Sequence, residues 1–189
     1  MAYFDDAKNV RQYIKMAEGY DGRELIKVVK RHLPKGSSVL ELGMGPGKDL
    51  DLFTKHYRAT GSDSSQVFLN LYRKRHEDAD LLLLDAVTIE TDRRFDGLYS
   101  NKVQHHLTKK ELRRSLEAQE RILNPGGVLF HTFWRGSRTE EYHGLLFVYY
   151  MESELREIFQ ARFEVLSVET YKEMAKDDSL YIVSRRRGE

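Results

Sequence analysis

The sequence predicts an α/β fold in which an open, mostly parallel sheet is covered by helices on both faces and ends in an antiparallel hairpin. Short apolar runs alternate with helical segments about five times along the chain. A glycine-rich stretch separates the first strand from the next helix, and two strand-like segments rich in β-branched and aromatic residues come last. Sheets of this kind bind ligands at the carboxyl ends of their strands.

The first elements follow from apolar spacing and from breakers. Leu25, Val29 and Leu33 share one face of a helix that starts at Arg23 and is ended by Pro34. The segment "SSVLEL" then predicts a buried strand. A helix over 48–56 is expected after the glycines, and "YRATGSD" indicates a second strand.

The middle of the chain continues the alternation. A helix is expected over 64–77, followed by buried strands at "ADLLLLDA" and "FDGLYSN". Thr108 and Glu111 have the spacing of a capping box, so the next helix begins there. The apolar face of that helix is expected to carry Leu112, Leu116 and Leu123, and "PGG" at 125–127 ends it.

The last elements are a strand at "GVLFHTFW", a helix at "ESELREIFQARF", and strands at "FEVLSVETYKE" and "SLYIVSRRR". Only "MAKDD" joins the final two strands, which favours an antiparallel pair. The segment 135–151 between strand and helix is aromatic, and we expect it to form a lid that selects the substrate.

Composition narrows the possible functions. The 189 residues suit one domain, and 31 basic against 30 acidic residues lack the excess of a dedicated nucleic-acid binder. Because there is no cysteine, disulfides, cysteine-ligated zinc and cysteine nucleophiles are excluded. The charged N-terminal stretch resembles no signal peptide and no run of ~18 apolar residues occurs, so we expect no membrane partner and a cytoplasmic location.

The glycine-rich stretch holds the main functional signal. Gly43, Gly45 and Gly47 follow a strand and open a helix, where glycines let a ligand approach the backbone closely. Lys48 stands where the dinucleotide pattern G-x-G-x-x-G has its last glycine, which disfavours a nicotinamide-dependent dehydrogenase. Asp49 follows Lys48, so the phosphate-loop pattern ending in Gly-Lys-Ser/Thr is not met either.

Three acidic residues lie at the ends of successive strands near this loop, namely Glu41, Asp63 and Asp85. A carboxylate at the end of the second strand suits ribose hydroxyls, and one at the end of the third can accept from an adenine amino group. Together they would repel a pyrophosphate and favour a cationic nucleoside. The alternative is that each one caps the helix or turn after it.

These motifs together resemble the class I S-adenosylmethionine-dependent methyltransferases, in the small single-domain group called type 11 or 25. The matching stretches are "VLELGMGPG", "TGSDSS", "LLLLDA", "FDGLYSNKVQHHL" and "LEAQERILNPGGVLFHTFW". The resemblance implies a Rossmann-like, mostly parallel seven-stranded sheet with a terminal antiparallel hairpin. It also implies one methyltransferase domain over 1–189, with residues 1–35 as an N-terminal helical cap, and S-adenosylmethionine as cofactor.

The resemblance further implies roles for individual residues. Glu41 would orient the loop and the cofactor's amino group, and Asp63 would hold the ribose hydroxyls. Ser64 would lie beside the adenine, where the family usually has a larger apolar residue. Gly43, Gly45 and Gly47 would contact the methionine part of the cofactor, and Ser100 and Asn101 its methionine end. Asp85 and Ala86 would contact the adenine edge. Tyr20 would lie where the family closes an N-terminal helix over the cofactor.

The acceptor is less well defined. Ser100 and Asn101 are followed by no proline, unlike the motif of enzymes that methylate DNA amino groups, and the cytosine-ring and arsenic enzymes need cysteines that this chain lacks. His105 and His106 are candidate general bases because histidine titrates near neutral pH, and the alternative is that they pack or cap at the next helix. The histidines, including 131 and 143, lack metal-ligand spacing, so no metal is expected.

The sequence therefore predicts an S-adenosylmethionine-dependent methyltransferase with a small-molecule acceptor. Two alternatives stay open. One is a non-catalytic module that binds the cofactor and acts through a partner, and the other is an RNA methyltransferase whose basic patch is hidden by balanced charge totals.

Overall fold

A seven-stranded sheet forms the centre of the molecule, and its strand order is β3-β2-β1-β4-β5-β9-β8. The computed structural model describes residues 3–20, 22–142 and 144–188. The strands of the sheet are β1 (Ser38–Leu42), β2 (Arg58–Asp63), β3 (Leu81–Leu83), β4 (Phe95–Ser100), β5 (Leu123–Trp134), β8 (Phe163–Tyr171) and β9 (Ser179–Arg186). The strands β1 to β5 pair in parallel, while β9 pairs antiparallel with both β5 and β8. The predicted fold class and terminal hairpin are confirmed.

Helices surround this sheet, and a small separate hairpin precedes the last of them. The helices are α1 (Ala7–Met16), α2 (Arg23–His32), α3 (Lys48–Phe53), α4 (Gln66–Arg73), α5 (Lys109–Ile122) and α6 (Glu152–Gln160). Short 3-10 turns occur at Tyr3–Asp5 and Gln104–His106. The separate hairpin consists of β6 (Thr139–Tyr142) and β7 (Leu145–Val148). Among the described residues, no helix has the length and hydropathy needed to cross a membrane.

The hydrophobic core lies on both faces of the sheet because side chains alternate along each strand. In β4, Leu98 packs in the cluster that contains residues of α5 and α6, whereas its neighbour Tyr99 packs in the cluster that contains residues of α2. Leu129 and Phe130 of β5 divide in the same way. Burial on two faces is what the near-continuous apolar strands predicted.

Several predicted boundaries are wrong. The helices expected over 48–56 and 64–77 are shorter, because Tyr57 N–H bonds Phe53 O and His76 N–H bonds Tyr72 O, which closes each helix in a turn. Leu123 is not on the face of α5: its backbone is extended, and it begins β5.

The strand β3 also differs from its prediction as a long buried strand. It has only three residues and pairs with β2 alone, at the edge of the sheet. Leu83 is 57% exposed there. By contrast, the capping box at the start of α5 is confirmed: Glu111 N–H donates to Thr108 Oγ1 at 3.2 Å and Thr108 N–H donates to Glu111 Oε2 at 2.9 Å.

Candidate functional site

The candidate site is a pocket at the carboxyl ends of β1 and β4, where the strand order reverses. The residues expected from the sequence that line it are Tyr20, Glu41, Gly43, Gly45 and Asn101. The lining residues that the sequence did not suggest are Tyr13, Ala17, Met44, Pro46, Lys48, Asp49, Lys102 and Glu173. The topology therefore brings together the first glycine motif, the segment after β4, the N-terminal helices and the loop between β8 and β9.

The glycine loop is shaped in part by the protein's own packing. Gly43 and Gly47 have φ angles of 69° and 80°, a left-handed region that glycine adopts readily. A Cβ atom on Gly43 would lie 2.5 Å from a methyl of Val103, and one on Gly47 would lie 2.3 Å from the Tyr72 ring. At Gly45 the nearest atom would be 3.8 Å away. Internal packing thus accounts for Gly43 and Gly47, although the sequence interpretation attributed all three glycines to ligand approach.

Asp63 holds this loop in place from the end of β2. Its carboxylate accepts hydrogen bonds from Gly45 N–H at 2.9 Å and from Ser65 N–H at 2.8 Å. Burial raises the pKa of Asp63, while these backbone donors oppose the rise. The side chain thus fixes the loop, and its ribose contact remains a prediction.

Glu41 places an uncompensated acid in the pocket. Its side chain is 4% exposed, and Oε2 has no hydrogen-bond partner. Burial, followed by the neighbouring carboxylates of Asp49 and Asp63, raises the pKa of Glu41 well above its usual value. A buried acid without a counter-charge is stabilised by an incoming cation, so this part of the pocket suits a positively charged ligand.

Asp49, in the first turn of α3, is a functional candidate that sequence reasoning missed. It is buried and accepts from Gly22 N–H at 2.6 Å, from Tyr99 Oη at 2.8 Å and from Asn101 Nδ2 at 3.1 Å. The sequence signal that could have identified Asp49 is its position directly after Gly47-Lys48. The sequence analysis used that position only to exclude a phosphate loop. Asp49 joins the N-terminal segment, the core and the segment after β4.

Six of the predicted contact residues lie outside the pocket lining: Gly47 and Asp63, described above, and Ser64, Asp85, Ala86 and Ser100. Ser64 is exposed, and Asp85 is exposed with Oδ1 accepting from Val87 N–H at 2.9 Å and Thr88 N–H at 3.0 Å. This is the turn-capping arrangement that was the alternative for Asp85. Ala86 O accepts from Ser115 Oγ, and Ser100 Oγ shares a hydrogen bond of 2.7 Å with His131 Nδ1.

The N-terminal segment covers one side of the pocket. Lys48 Nζ donates to Ala17 O at 2.5 Å just after α1. The Tyr13 ring lines the pocket and contacts the ring of Phe4 at 5.2 Å, and Phe4 in turn contacts Phe68 at 5.5 Å. Burial raises the pKa of Tyr13. The glycine loop and the N-terminal helices are therefore packed as one wall.

Lys102 is a second residue that sequence reasoning did not single out. Its φ is 56°, and Nζ lies 3.5 Å from the ring centroid of Trp134. The ammonium also donates to Ser179 Oγ at 2.7 Å and to Phe133 O at 3.2 Å. Burial lowers the pKa of Lys102 to about 7.

The two candidate bases differ in their surroundings. His106 Nδ1 is 2.7 Å from Leu146 O, whereas both ring nitrogens of His105 are buried without a partner. The pKa of His105 is well below its usual value, first because of burial and then because of His106 and Lys102. Both rings contact Phe147, with centroid distances of 5.4 Å for His105 and 4.8 Å for His106.

The hairpin of β6 and β7 lies within the predicted lid segment 135–151, and the sequence did not predict it. Its base is closed by Tyr149 N–H donating to Arg138 O at 2.9 Å and by Gly136 N–H donating to Tyr150 O at 3.1 Å. All four residues of β6 are exposed. His143, named among the histidines, lies outside the described residues. Within the described part of the chain, no group of three or more histidine and acidic residues could hold a metal.

Comparisons with known proteins show what this chain is similar to. Residues 39–127 match the family model described as "Methyltransferase domain". A dTDP-3-amino-3,4,6-trideoxy-alpha-D-glucopyranose N,N-dimethyltransferase of Streptomyces venezuelae is 30% identical over 60% of this chain and 49% of its own length. A tRNA (carboxymethyluridine(34)-5-O)-methyltransferase of Arabidopsis thaliana is 30% identical over 57% of this chain and 26% of its own length. The chain thus spans about half of the first relative and about a quarter of the second.

A solved structure supports the same fold. The 1,6-didemethyltoxoflavin-N1-methyltransferase of Burkholderia thailandensis, crystallised with 1,6-didemethyltoxoflavin and S-adenosylhomocysteine, superposes with a TM-score of 0.72. The two are 20% identical, and the match covers 99% of this chain and 92% of that chain. Together with the glycine loop, the strand order and the acid-lined pocket, these matches make the chain similar to the class I S-adenosylmethionine-dependent methyltransferases, whose domain model matches residues 39–127.

Proposed function

We propose that this chain transfers the methyl group of S-adenosylmethionine to a small-molecule acceptor at O, N or C. The observation that carries the proposal is the buried carboxyl of Glu41, whose Oε2 has no partner, beside Asp49 and the glycine loop. Such a site fits a cation rather than a phosphate, and the sulfonium and α-ammonium groups of the cofactor are cations. The cofactor supplies an activated methyl group for in-line displacement, and the protein mainly has to align a nucleophile with it.

The chain's own residues divide this task. Glu41 and Asp49 would hold the positive end of the cofactor, and Asp63 would contact the ribose while it fixes Gly45. The other sequence-derived contacts, from Tyr20, Ser64, Asp85, Ala86, Ser100 and Asn101, remain predictions. Asn101 is well placed for its role because it both lines the pocket and donates to Asp49.

Where the acceptor must lose a proton, we propose His105 rather than His106 as the base. His106 already has a partner at Nδ1, the Leu146 carbonyl oxygen, whereas neither nitrogen of His105 has one, so the unprotonated nitrogen of its neutral ring can accept. A base that is neutral at working pH is ready to take a proton.

A small-molecule acceptor is supported by the relatives. Two of the matched proteins are named for methylating an amino sugar nucleotide and a toxoflavin precursor. A cytoplasmic location, expected from the sequence, is part of the proposal and is tested by cell fractionation.

Titration calorimetry with S-adenosylmethionine tests the cofactor site. Asp63→Ala should weaken binding about tenfold or more, because a charged hydrogen-bond partner is lost. Asp92→Ala, at an exposed acid away from the pocket lining, is the matched control and should bind as the wild type does. No binding at ~1 mM cofactor would overturn the proposal, and an unchanged affinity in Asp63→Ala would overturn the role of Asp63.

RNA methylation is the second candidate, favoured by the plant tRNA methyltransferase among the relatives. A gel-shift assay with tRNA at rising salt concentration tests it, since phosphate contacts make binding strongly salt-dependent. A non-catalytic, cofactor-binding module is the other alternative. Methyl transfer from labelled cofactor to any compound in a metabolite extract would exclude that alternative.

A further inference from the structure

The space beneath the β6–β7 hairpin contains a polar group that the fold leaves unsatisfied. His105 is 1% exposed, and neither Nδ1 nor Nε2 has a hydrogen-bond partner. Leaving a buried polar group unpaired is costly, so native proteins rarely do it without a functional reason. The group that satisfies His105 is therefore sought outside the chain.

The surroundings of His105 are flat rings. Phe147 stacks on the imidazole, with ring centroids 5.4 Å apart and planes 20° apart. The indole of Trp134 lies 6.4 Å away, and the ring of His106 lies 4.1 Å away. None of these side chains carries a carboxylate, so the enclosure favours a neutral, planar molecule over an ammonium or a sugar.

Lys102 links these rings to the cofactor pocket. Lys102 lines that pocket, and its ammonium lies over the face of Trp134. The ring of Trp134 also contacts the ring of His105. A molecule that touches Trp134 and His105 would thus lie near Lys102, on the side of the pocket formed by the segment after β4.

The hairpin that carries Phe147 stands apart from the main sheet. It is a two-stranded sheet separate from the main one, and such pairs are marginally stable by themselves. We propose that the Phe147 ring holds the place of a planar aromatic or heteroaromatic acceptor, which enters as the hairpin lifts and donates an N–H or O–H to His105. This inference rests on the proposed function and specifies the acceptor class for the same site.

The chemistry balances without another reactant. As the acceptor's O or N forms its bond to the methyl carbon, the carbon–sulfur bond breaks and sulfur keeps the electron pair. The proton on the acceptor's heteroatom passes to His105, which then releases it to solvent. The lowered pKa of His105 keeps its ring neutral at neutral pH, so one nitrogen has a lone pair available.

Binding of a planar probe tests the inference without any turnover. The chain has a single tryptophan, Trp134, so its fluorescence reports on this enclosure alone. We would titrate 4-hydroxyquinoline, with glucosamine as the non-planar comparison, by fluorescence corrected for probe absorbance and by calorimetry, with and without S-adenosylhomocysteine. Phe147→Ala should bind the quinoline about two- to tenfold more tightly than the wild type, because a competing ring stack is removed. Adding His105→Ala should reverse most of that gain.

Controls separate this effect from unfolding. Thr139→Ala changes an exposed residue of the same hairpin and should leave quinoline binding unchanged, and Phe147→Leu keeps apolar packing without the ring and should resemble Phe147→Ala. Quinoline binding that is no tighter in both Phe147 variants, or equal binding of glucosamine, would overturn the inference. Binding of S-adenosylhomocysteine is measured separately, and its absence would count against the proposed function instead.

Discussion

Replacing Glu41 by glutamine should stabilise the free protein and weaken cofactor binding at the same time. The carboxyl of Glu41 is buried with Oε2 unpaired, and the nearby carboxylates of Asp49 and Asp63 raise its pKa further. An unsatisfied buried polar group costs about 1–3 kcal/mol, and a charged one costs more. Because glutamine cannot ionise, Glu41→Gln removes the cost of a buried charge at pH values above the folded pKa of Glu41, and there we expect a gain of about 1–3 kcal/mol, or about 2–12 °C in Tm for a chain of this size.

The sign of the pH dependence follows from linkage. Since the pKa of Glu41 in the folded protein lies above its unfolded value, the folded state binds the proton more tightly and loses stability as pH rises through the folded pKa. Glu41→Gln should remove this decline. Cofactor binding has the opposite trend, because the cation favours the ionised carboxyl. Below the folded pKa, affinity for S-adenosylmethionine should rise by up to about tenfold per pH unit.

Two measurements check this reasoning. Scanning calorimetry of the wild type and of Glu41→Gln across pH gives the stability difference, and titration calorimetry in buffers of different ionisation enthalpy counts the protons released on binding. Glu24→Gln, at an exposed acid paired with Lys27 on α2, is the control for loss of a surface charge. A less stable Glu41→Gln with unchanged cofactor affinity would refute the argument.

Three further substitutions test the structure around the pocket. Gly22→Ala should weaken cofactor binding and lower the free energy of unfolding by about 1–3 kcal/mol in thermal melting, because a Cβ would lie 2.4 Å from Tyr99 Oη and 2.5 Å from Asp49 Oδ2. The control Gly188→Ala, where a Cβ would have nothing within 4 Å, should change neither quantity. Equal effects of the two substitutions would contradict the packing argument. Gly47→Ala should destabilise more than Gly36→Ala in urea unfolding, since both need positive φ but only Gly47 meets a ring, at Tyr72; equal losses would mean that backbone strain alone matters. His131 is buried between Ser100 and Gln119, and its pKa is lowered to about 3 from 6.5, so the wild type should lose stability as pH falls from about 6.5 toward 3. His131→Gln should show a flatter dependence of stability on pH in that window. An identical pH dependence in both proteins would exclude His131 as the cause.

Local patterns were sufficient to predict the architecture. The apolar period, the Thr108 to Glu111 capping box and the glycines after β1 each act within a few residues, so the sequence displays them directly. Element lengths were less predictable, because α3 ends through turn hydrogen bonds to Phe53 O, and β3 is short at an edge with one neighbour. Neither effect changes the hydrophobic pattern.

The site was predicted less completely because its contacts join distant parts of the chain. The role of Asp49 depends on its hydrogen bonds with Gly22, Tyr99 and Asn101. That of Lys102 depends on its contacts with Trp134 and Ser179. The difference between His105 and His106 likewise depends on a hairpin that the aromatic stretch did not reveal. Residue type and spacing indicated the chemistry, while the partners came from tertiary packing.

The attachment of the N-terminal segment to α3 has a practical consequence for handling the protein. Lys48 bonds the carbonyl of Ala17, and Asp49 bonds the amide of Gly22, so two adjacent side chains at the pocket hold both ends of one short connection. A change that displaces α1 is therefore expected to disturb both pocket side chains at once. Cofactor affinities are best compared between proteins with the same N-terminal segment, because an altered segment could change the affinity without touching the pocket directly.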